Sequence, residues 1–206
     1  MFMTCNKCGK KFESSNIKEG GCGKLKCKCG NTDTYIKLPL FVLTGSSGAG
    51  KSTVGRYIQK YYNEVVVMEC DLLWNNYFNS PESKYKEFRE MWLRVCKNIN
   101  QIGKSVLLVG CGVPEQYEDC EQRKFFEKIH YIALVSSDKS IEKRLLERPD
   151  YRNCSNKEYI NEHLQFNNWI KKNANKTKPK MYLINNEFLS IEDTSFKVID
   201  KIKNLN

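Results

Sequence analysis

The chain has 206 residues and a mass of 24.1 kDa, with 40% hydrophobic and 28% charged residues, a balance that fits a globular protein with one mid-sized core. No apolar run approaches the roughly 18 residues of a membrane span, and Met1-Phe2-Met3-Thr4-Cys5-Asn6-Lys7 lacks the apolar centre of a secretion signal, so a cytoplasmic protein without a membrane partner is expected. The net charge of +10 comes from 27 Lys and only 7 Arg beside 20 Asn; the base composition of the coding DNA produces the same excess, so the few arginines carry more information than the total.

Ten cysteines are unevenly spread. Cys5-Asn6-Lys7-Cys8-Gly9 and Cys27-Lys28-Cys29-Gly30 form two pairs, each ending in Cys-Gly, with Cys22-Gly23 between them. A glycine after the second thiolate permits the tight turn in which backbone N–H groups face sulfur. Two such turns supply four thiolates for a closed tetrahedral Zn²⁺ site at Cys5, Cys8, Cys27 and Cys29, with Cys22 as a possible replacement. The pattern resembles the zinc ribbons, although the second pair is Cys-x-Cys. Residues 1–39 are too few for a full core, so the metal is expected to stabilise this module. They carry eight lysines against three acidic residues, half of the net charge, which makes a nucleic-acid partner for the module one reading. The other cysteines, Cys70, Cys96, Cys111, Cys120 and Cys154, are read as small inert core residues.

Residues 40–44, Leu-Phe-Val-Leu-Thr, read as a buried strand. Gly45-Ser46-Ser47-Gly48-Ala49-Gly50-Lys51-Ser52 follows, then Thr53 and a helical run, a full G-x-x-x-x-G-K-[ST] phosphate-binding loop in its strand–loop–helix setting. Its glycines let backbone N–H groups face phosphates, Lys51 reaches the β- and γ-phosphates, and the Ser52 hydroxyl is placed for Mg²⁺. A nucleoside triphosphate is the expected ligand.

Four more strands are predicted at 65–69, 105–109, 130–135 and 181–184, separated by helical patterns such as Phe88, Trp92, Val95, Cys96, Ile99 and Tyr159, His163, Phe166, Ile170. Alternation of this kind implies a parallel sheet between helix layers. Five strands in the 167 residues after the ribbon leave no room for the extra strands of larger motor or AAA-type ATPases. The third strand runs into Gly110-Cys111-Gly112 without a closing acid, and Asn175-Lys176-Thr177-Lys178 lacks the acid of a guanine reader.

Glu69-Cys70-Asp71 closes the second strand, and residues i and i+2 share a face. Both carboxylates are thus expected at the carboxyl edge of the sheet, where open α/β sheets bind ligands. Asp71 is the candidate base or substrate-hydroxyl partner, and Glu69 the outer ligand of Mg²⁺. Arg144, Arg148 and Arg152 gather three of seven arginines within nine residues. Pro149 should end their helix and open an arginine-bearing lid over the triphosphate. Arg89 and Arg94 read either as acceptor ligands or as surface residues. Trp74, Tyr77 and Phe78 read either as an aromatic wall for a planar acceptor or as an apolar cluster. His130 and His163 are read as structural.

Residues 40–206 resemble the small P-loop kinases of the nucleoside and nucleotide kinase-like group, on the strength of residues 45–52, Glu69-Cys70-Asp71, Gly110-Cys111-Gly112 and the arginines at 144–152. The resemblance implies a three-layer α/β fold with a five-stranded parallel sheet of order 2-3-1-4-5, an arginine-containing lid, and ATP- and Mg²⁺-dependent phosphoryl transfer. A nucleoside or nucleotide is the leading acceptor. A polynucleotide 5′-hydroxyl kinase guided by the ribbon, or a nucleotide-dependent switch with a ribbon docking module, are the alternatives. Related kinases often hold adenine just before the last strand, here Asn173-Ala174-Asn175-Lys176.

Overall fold

The structure, a computed structural model, describes residues 3–12, 23–149 and 154–205. Strands β1 (Lys24–Lys26) and β2 (Thr32–Thr34) form a small antiparallel hairpin. Strands β3 (Leu40–Thr44), β4 (Val66–Glu69), β5 (Val106–Val109), β6 (Ile129–Val135) and β7 (Met181–Asn185) form a wholly parallel sheet. Its order, β4-β5-β3-β6-β7, is the expected 2-3-1-4-5. Each strand starts and ends within one residue of its predicted limits.

The central strands are buried on both faces, and their alternation divides the core. Leu40, Val42, Val106, Leu108, Tyr131 and Ala133 face one layer, where Trp92, Leu93 and Cys96 of α2 (Lys86–Ile99) and Ile170 of α5 (Lys157–Asn173) cover them. Phe41, Leu43, Leu107, Val109, Ile132 and Leu134 face the other, covered by Val54 and Ile58 of α1 (Lys51–Tyr61) and Val198, Ile199 and Ile202 of α6 (Ile191–Lys203). Period-2 strands between period-3.6 helices thus give three layers. Two further helices, α3 (Pro114–Glu118) and α4 (Asp138–Leu146), flank the carboxyl edge.

The ribbon packs on the opposite, amino edge. Buried Cys5, Phe12, Leu25 and Tyr35 join the same apolar cluster as Leu40 and Phe125. The Tyr35 ring meets Phe125 edge-on at 5.8 Å, and the backbone of Ile36 exchanges two 3.0 Å hydrogen bonds with the Gln101 amide. Gln101 precedes β5 and Phe125 precedes β6, so these contacts lie where strands begin, whereas the phosphate-binding loop lies where β3 ends. The ribbon therefore lies across the sheet from that loop. Among the described residues no helix is long and apolar enough to cross a membrane.

Candidate active site

The loop after β3 curls because its glycines take backbone conformations closed to other residues. Gly45 has φ 147°, and a Cβ there would lie 2.6 Å from the Leu134 carbonyl oxygen. Gly50, at φ 92°, caps α1 without a side chain, which leaves the first-turn N–H groups of Lys51, Ser52 and Thr53 open to an anion. Lys51 is buried and its Nζ donates to the Gly45 and Ser46 carbonyls at 2.8 and 2.9 Å, so the loop closes on its own lysine. Ser46 Oγ is buried without a hydrogen-bond partner. The cradle, the open helix start and the captive ammonium fit a bound polyphosphate.

Ser52 Oγ donates to Glu69 Oε1 at 3.0 Å, which joins the hydroxyl and the carboxylate expected around Mg²⁺. Burial raises the Glu69 carboxyl above the usual range, and the Ser52 hydrogen bond opposes this. Asp71 arrives by a different route from the one predicted. The strand stops at Glu69 and residues Cys70–Leu73 form a 3-10 turn, not two more strand positions. Trp92 Nε1 donates to the Cys70 carbonyl at 3.2 Å and anchors the turn, and buried Cys70 fills the space left by Gly110. Glu69 and Asp71 nonetheless face one cleft.

That cleft, of about 400 Å³, lies at the carboxyl edge and is lined by Ser47, Gly48, Gly50, Lys51, Ser52, Thr53, Glu69, Asp71 and Arg148 among others. Arg148 stands just before Pro149, where α4 has ended, as expected for a helix stopped by that proline. Arg144 lies on the other flank of the loop. It donates to the Gly48 carbonyl at 3.2 Å and borders a separate groove of about 230 Å³ with Gly50, Thr53, Asn186 and Ser190. Arg152 and Cys22 lie outside the described residues. Asn173-Ala174-Asn175-Lys176 is not near the cleft: it ends α5 and precedes β7 at the amino edge, so the expectation of an adenine contact there fails. At the carboxyl end of β7, Asn186 Nδ2 donates to the Ala49 carbonyl at 2.9 Å and ties that segment to the phosphate-binding loop.

Three further residues line the cleft. His163, read as structural, accepts a hydrogen bond at Nδ1 from the Ser47 N–H at 3.3 Å. Tyr159 OH bonds Ser47 Oγ at 2.9 Å. Burial, then the charges of Lys51 and Arg148, push His163 down to about 4, so it is neutral at physiological pH. Cys111, read as an inert core thiol, is exposed in the cleft, 3.4 Å from the Gly45 carbonyl oxygen. The buried state of Cys70, Cys96, Cys120 and Cys154 follows expectation, as does His130, whose ring stacks on Phe41.

A second pocket, of about 340 Å³, shares Asp71 and Cys111 with the first. Trp74, Tyr85, Phe88, Tyr117 and Phe166 wall it, with Arg89 and Gln116. Tyr77 and Phe78, expected beside Trp74, line another groove together with exposed Arg94.

In the ribbon, the four Sγ atoms of Cys5, Cys8, Cys27 and Cys29 lie within 4.8 Å of one another, with Cys5–Cys29 at 3.7 Å and Cys8–Cys27 at 3.5 Å. Four Zn–S bonds of about 2.3 Å give S···S edges of about 3.8 Å, close to the Cys5–Cys29 and Cys8–Cys27 separations, so the four thiols could hold zinc. Gly9 and Gly30 turn at φ 72° and 85°, and Asn31 Nδ2 donates to Cys5 Sγ at 3.5 Å.

A phosphate-binding loop on the central strand of a 2-3-1-4-5 sheet, with helices on both faces, is the fold of the P-loop kinases. The chain belongs to the AAA_18 family, described as AAA domain, whose model matches residues 42–162. Among the described residues the parallel sheet has five strands. Comparison with curated proteins gives no match. Among solved structures the chain is similar to a sugar kinase from Janibacter sp. HTCC2649 (14% identity, 81% of this chain and 95% of that one, TM-score 0.59). It is also similar to a gluconokinase from Sinorhizobium meliloti 1021 (15%, 83% and 94%, 0.54). A shikimate kinase from Acinetobacter baumannii in complex with shikimate shares 19% identity over 83% and 96% of the two chains, at TM-score 0.54. At these identities the likeness is one of fold.

Proposed function

We propose that the chain is an ATP- and Mg²⁺-dependent phosphotransferase that moves the γ-phosphoryl group to a small acceptor, a nucleoside or nucleotide being the leading candidate. The observation that carries this reading is the junction of two pockets at Asp71: a charged cleft built on the phosphate-binding loop and an aromatic pocket beside it. Residues 45–53 would hold the triphosphate, and Ser52 with Glu69 would hold Mg²⁺, which when bound neutralises phosphate charge. Lys51 leaves its two carbonyls to meet the phosphates. Arg148 in the cleft, with Arg144 at the loop's flank and Arg152 as the sequence pattern suggests, would stabilise charge spread over the transferring group. The acceptor hydroxyl gives its proton to Asp71 as its oxygen bonds the γ-phosphorus, and the bond to the ADP oxygen breaks. Cys5, Cys8, Cys27 and Cys29 would hold a structural Zn²⁺ in a ribbon spanning 1–39, with the kinase domain at 40–206.

A transfer screen with γ-labelled ATP across nucleosides, nucleotides, polyols and 5′-hydroxyl oligonucleotides tests the reading. Labelled product that disappears in Lys51→Ala is expected. Lys51-dependent ATP hydrolysis with no labelled acceptor would favour the switch.

A further inference from the structure

We infer that the pocket beside Asp71 takes an acceptor with three chemical parts: a planar ring, a reacting hydroxyl, and an acidic group separate from that hydroxyl. This rests on the kinase reading above and narrows it.

The walls supply the first part. Five aromatic side chains line about 340 Å³, a space that suits one or two fused rings with a small substituent. Trp74 meets Phe88 at 5.1 Å and Tyr85 at 5.8 Å, both edge-on, and leaves 44% of its own surface exposed at the rim. Tyr85 holds its place from a left-handed backbone at φ 59°, next to Lys84 at φ 52°. Two successive non-glycine residues in that region are strained, and strain of this kind persists at ligand clamps. A polyol with hydroxyls on every side would strip water from its polar groups against these rings without replacement.

Arg89 supplies the third part. It is 8% exposed, its Nε donates to the Gln116 carbonyl at 3.1 Å, and it lines the pocket. Among the described residues no carboxylate is ion-paired with it. A guanidinium buried to this degree is costly without an anion, and its fork matches a phosphate or carboxylate.

Asp71 decides where the reacting atom lies. It lines both the aromatic pocket and the cleft built on the phosphate-binding loop, so an atom presented where the two meet faces a carboxylate. A hydroxyl donates to it, whereas a phosphate oxygen in that place meets like charge. The acid of the acceptor therefore belongs at Arg89 and the hydroxyl at Asp71. A nucleotide would react through a sugar hydroxyl and not through its phosphate.

The test uses the full chain, γ-labelled ATP, and matched acceptors: ribonucleosides, their 3′- and 5′-monophosphates, hydroxymethyl-benzoates, and gluconate. Expected is transfer to a hydroxyl of an acid-bearing ring compound, with kcat/KM about 10- to 100-fold above that of the matching uncharged compound. Arg89→Gln should raise KM for the acidic acceptors by a similar factor, erasing the preference, and Arg89→Lys should restore part of it. Thermal melting checks that each variant is folded, and the wild-type comparison holds without the variants. Equal use of charged and uncharged rings, preference for gluconate, or a diphosphate product from a 5′-monophosphate would each overturn the inference and leave the kinase reading intact. Absence of any labelled acceptor would remove both.

Discussion

The two edges of the sheet are built by opposite strategies. At the amino edge, the ribbon's four sulfur atoms come from two short Cys-Gly turns, each of which sets the spacing of its own pair. At the carboxyl edge, one cleft draws on the loop after β3, the turn after β4, the turn after β5, the end of α4 and the start of α5. The first arrangement is a short-range property of sequence; the second exists only once the parallel sheet has aligned its strand ends. Several charges meet at one point at the second edge, whereas the first gathers four thiols.

Substitutions in the cleft should have the largest effect on this contrast. Asp71→Asn should lower kcat by about 100- to 10,000-fold while the chain still binds ATP, as steady-state kinetics and calorimetry would show. Lys51→Ala should lower transfer by about 100- to 1,000-fold. If changes at the ribbon cysteines reduced the chemical step to the same extent in a folded protein, the division between the edges would be wrong.

Metal removal probes the other edge. Elemental analysis should find one zinc per chain, and chelation should lower the melting temperature by about 5–10 °C. Leu25→Ala, which leaves every thiol in place but empties the apolar contact beneath the hairpin, should cost about 2–5 kcal/mol in denaturant unfolding. Comparing the two separates metal from packing.

Smaller effects come from hydrogen-bonded groups at the carboxyl edge. Neutral His163 has a folded pKa of about 4 against an ordinary 6.5. The folded state binds fewer protons there, so the contribution of His163 is complete above pH 6.5 and is lost as pH falls towards 4. The melting-temperature difference between wild type and His163→Gln should shrink across that window. Glu187 accepts from Ser136 Oγ, the Ser137 N–H, Ser140 Oγ and Ser137 Oγ, and these bonds hold it down to about 2. Its stabilisation is present above about pH 4.5 and lost on descent to about 2, so Glu187→Gln should match wild type only at the acid end.

The strands, the phosphate-binding loop and the two thiol pairs of the ribbon were legible in sequence because each strand, loop or pair depends on spacing along one short segment. His163 and Tyr159 were not. Their helical stripe with Phe166 and Ile170 reads as one buried face, yet α5 crosses from the carboxyl to the amino edge, so its first turns meet Ser47 and its last turns meet the core. The same crossing carries Asn173 away from the cleft. Tyr77 and Phe78 parted from Trp74 because residues 70–83 form successive tight turns, where side-chain direction follows no fixed period. The aromatic pocket draws on β4–α2, α3 and α5, and no window of sequence contains it.

Transfer of the labelled γ-phosphate of ATP, measured side by side for wild type, Lys51→Ala and Asp71→Asn on hydroxyl-bearing ring compounds, tests the central claim most directly. The two-pocket site predicts a labelled acceptor with wild type and almost none with either variant. Undiminished transfer by folded Asp71→Asn would contradict it.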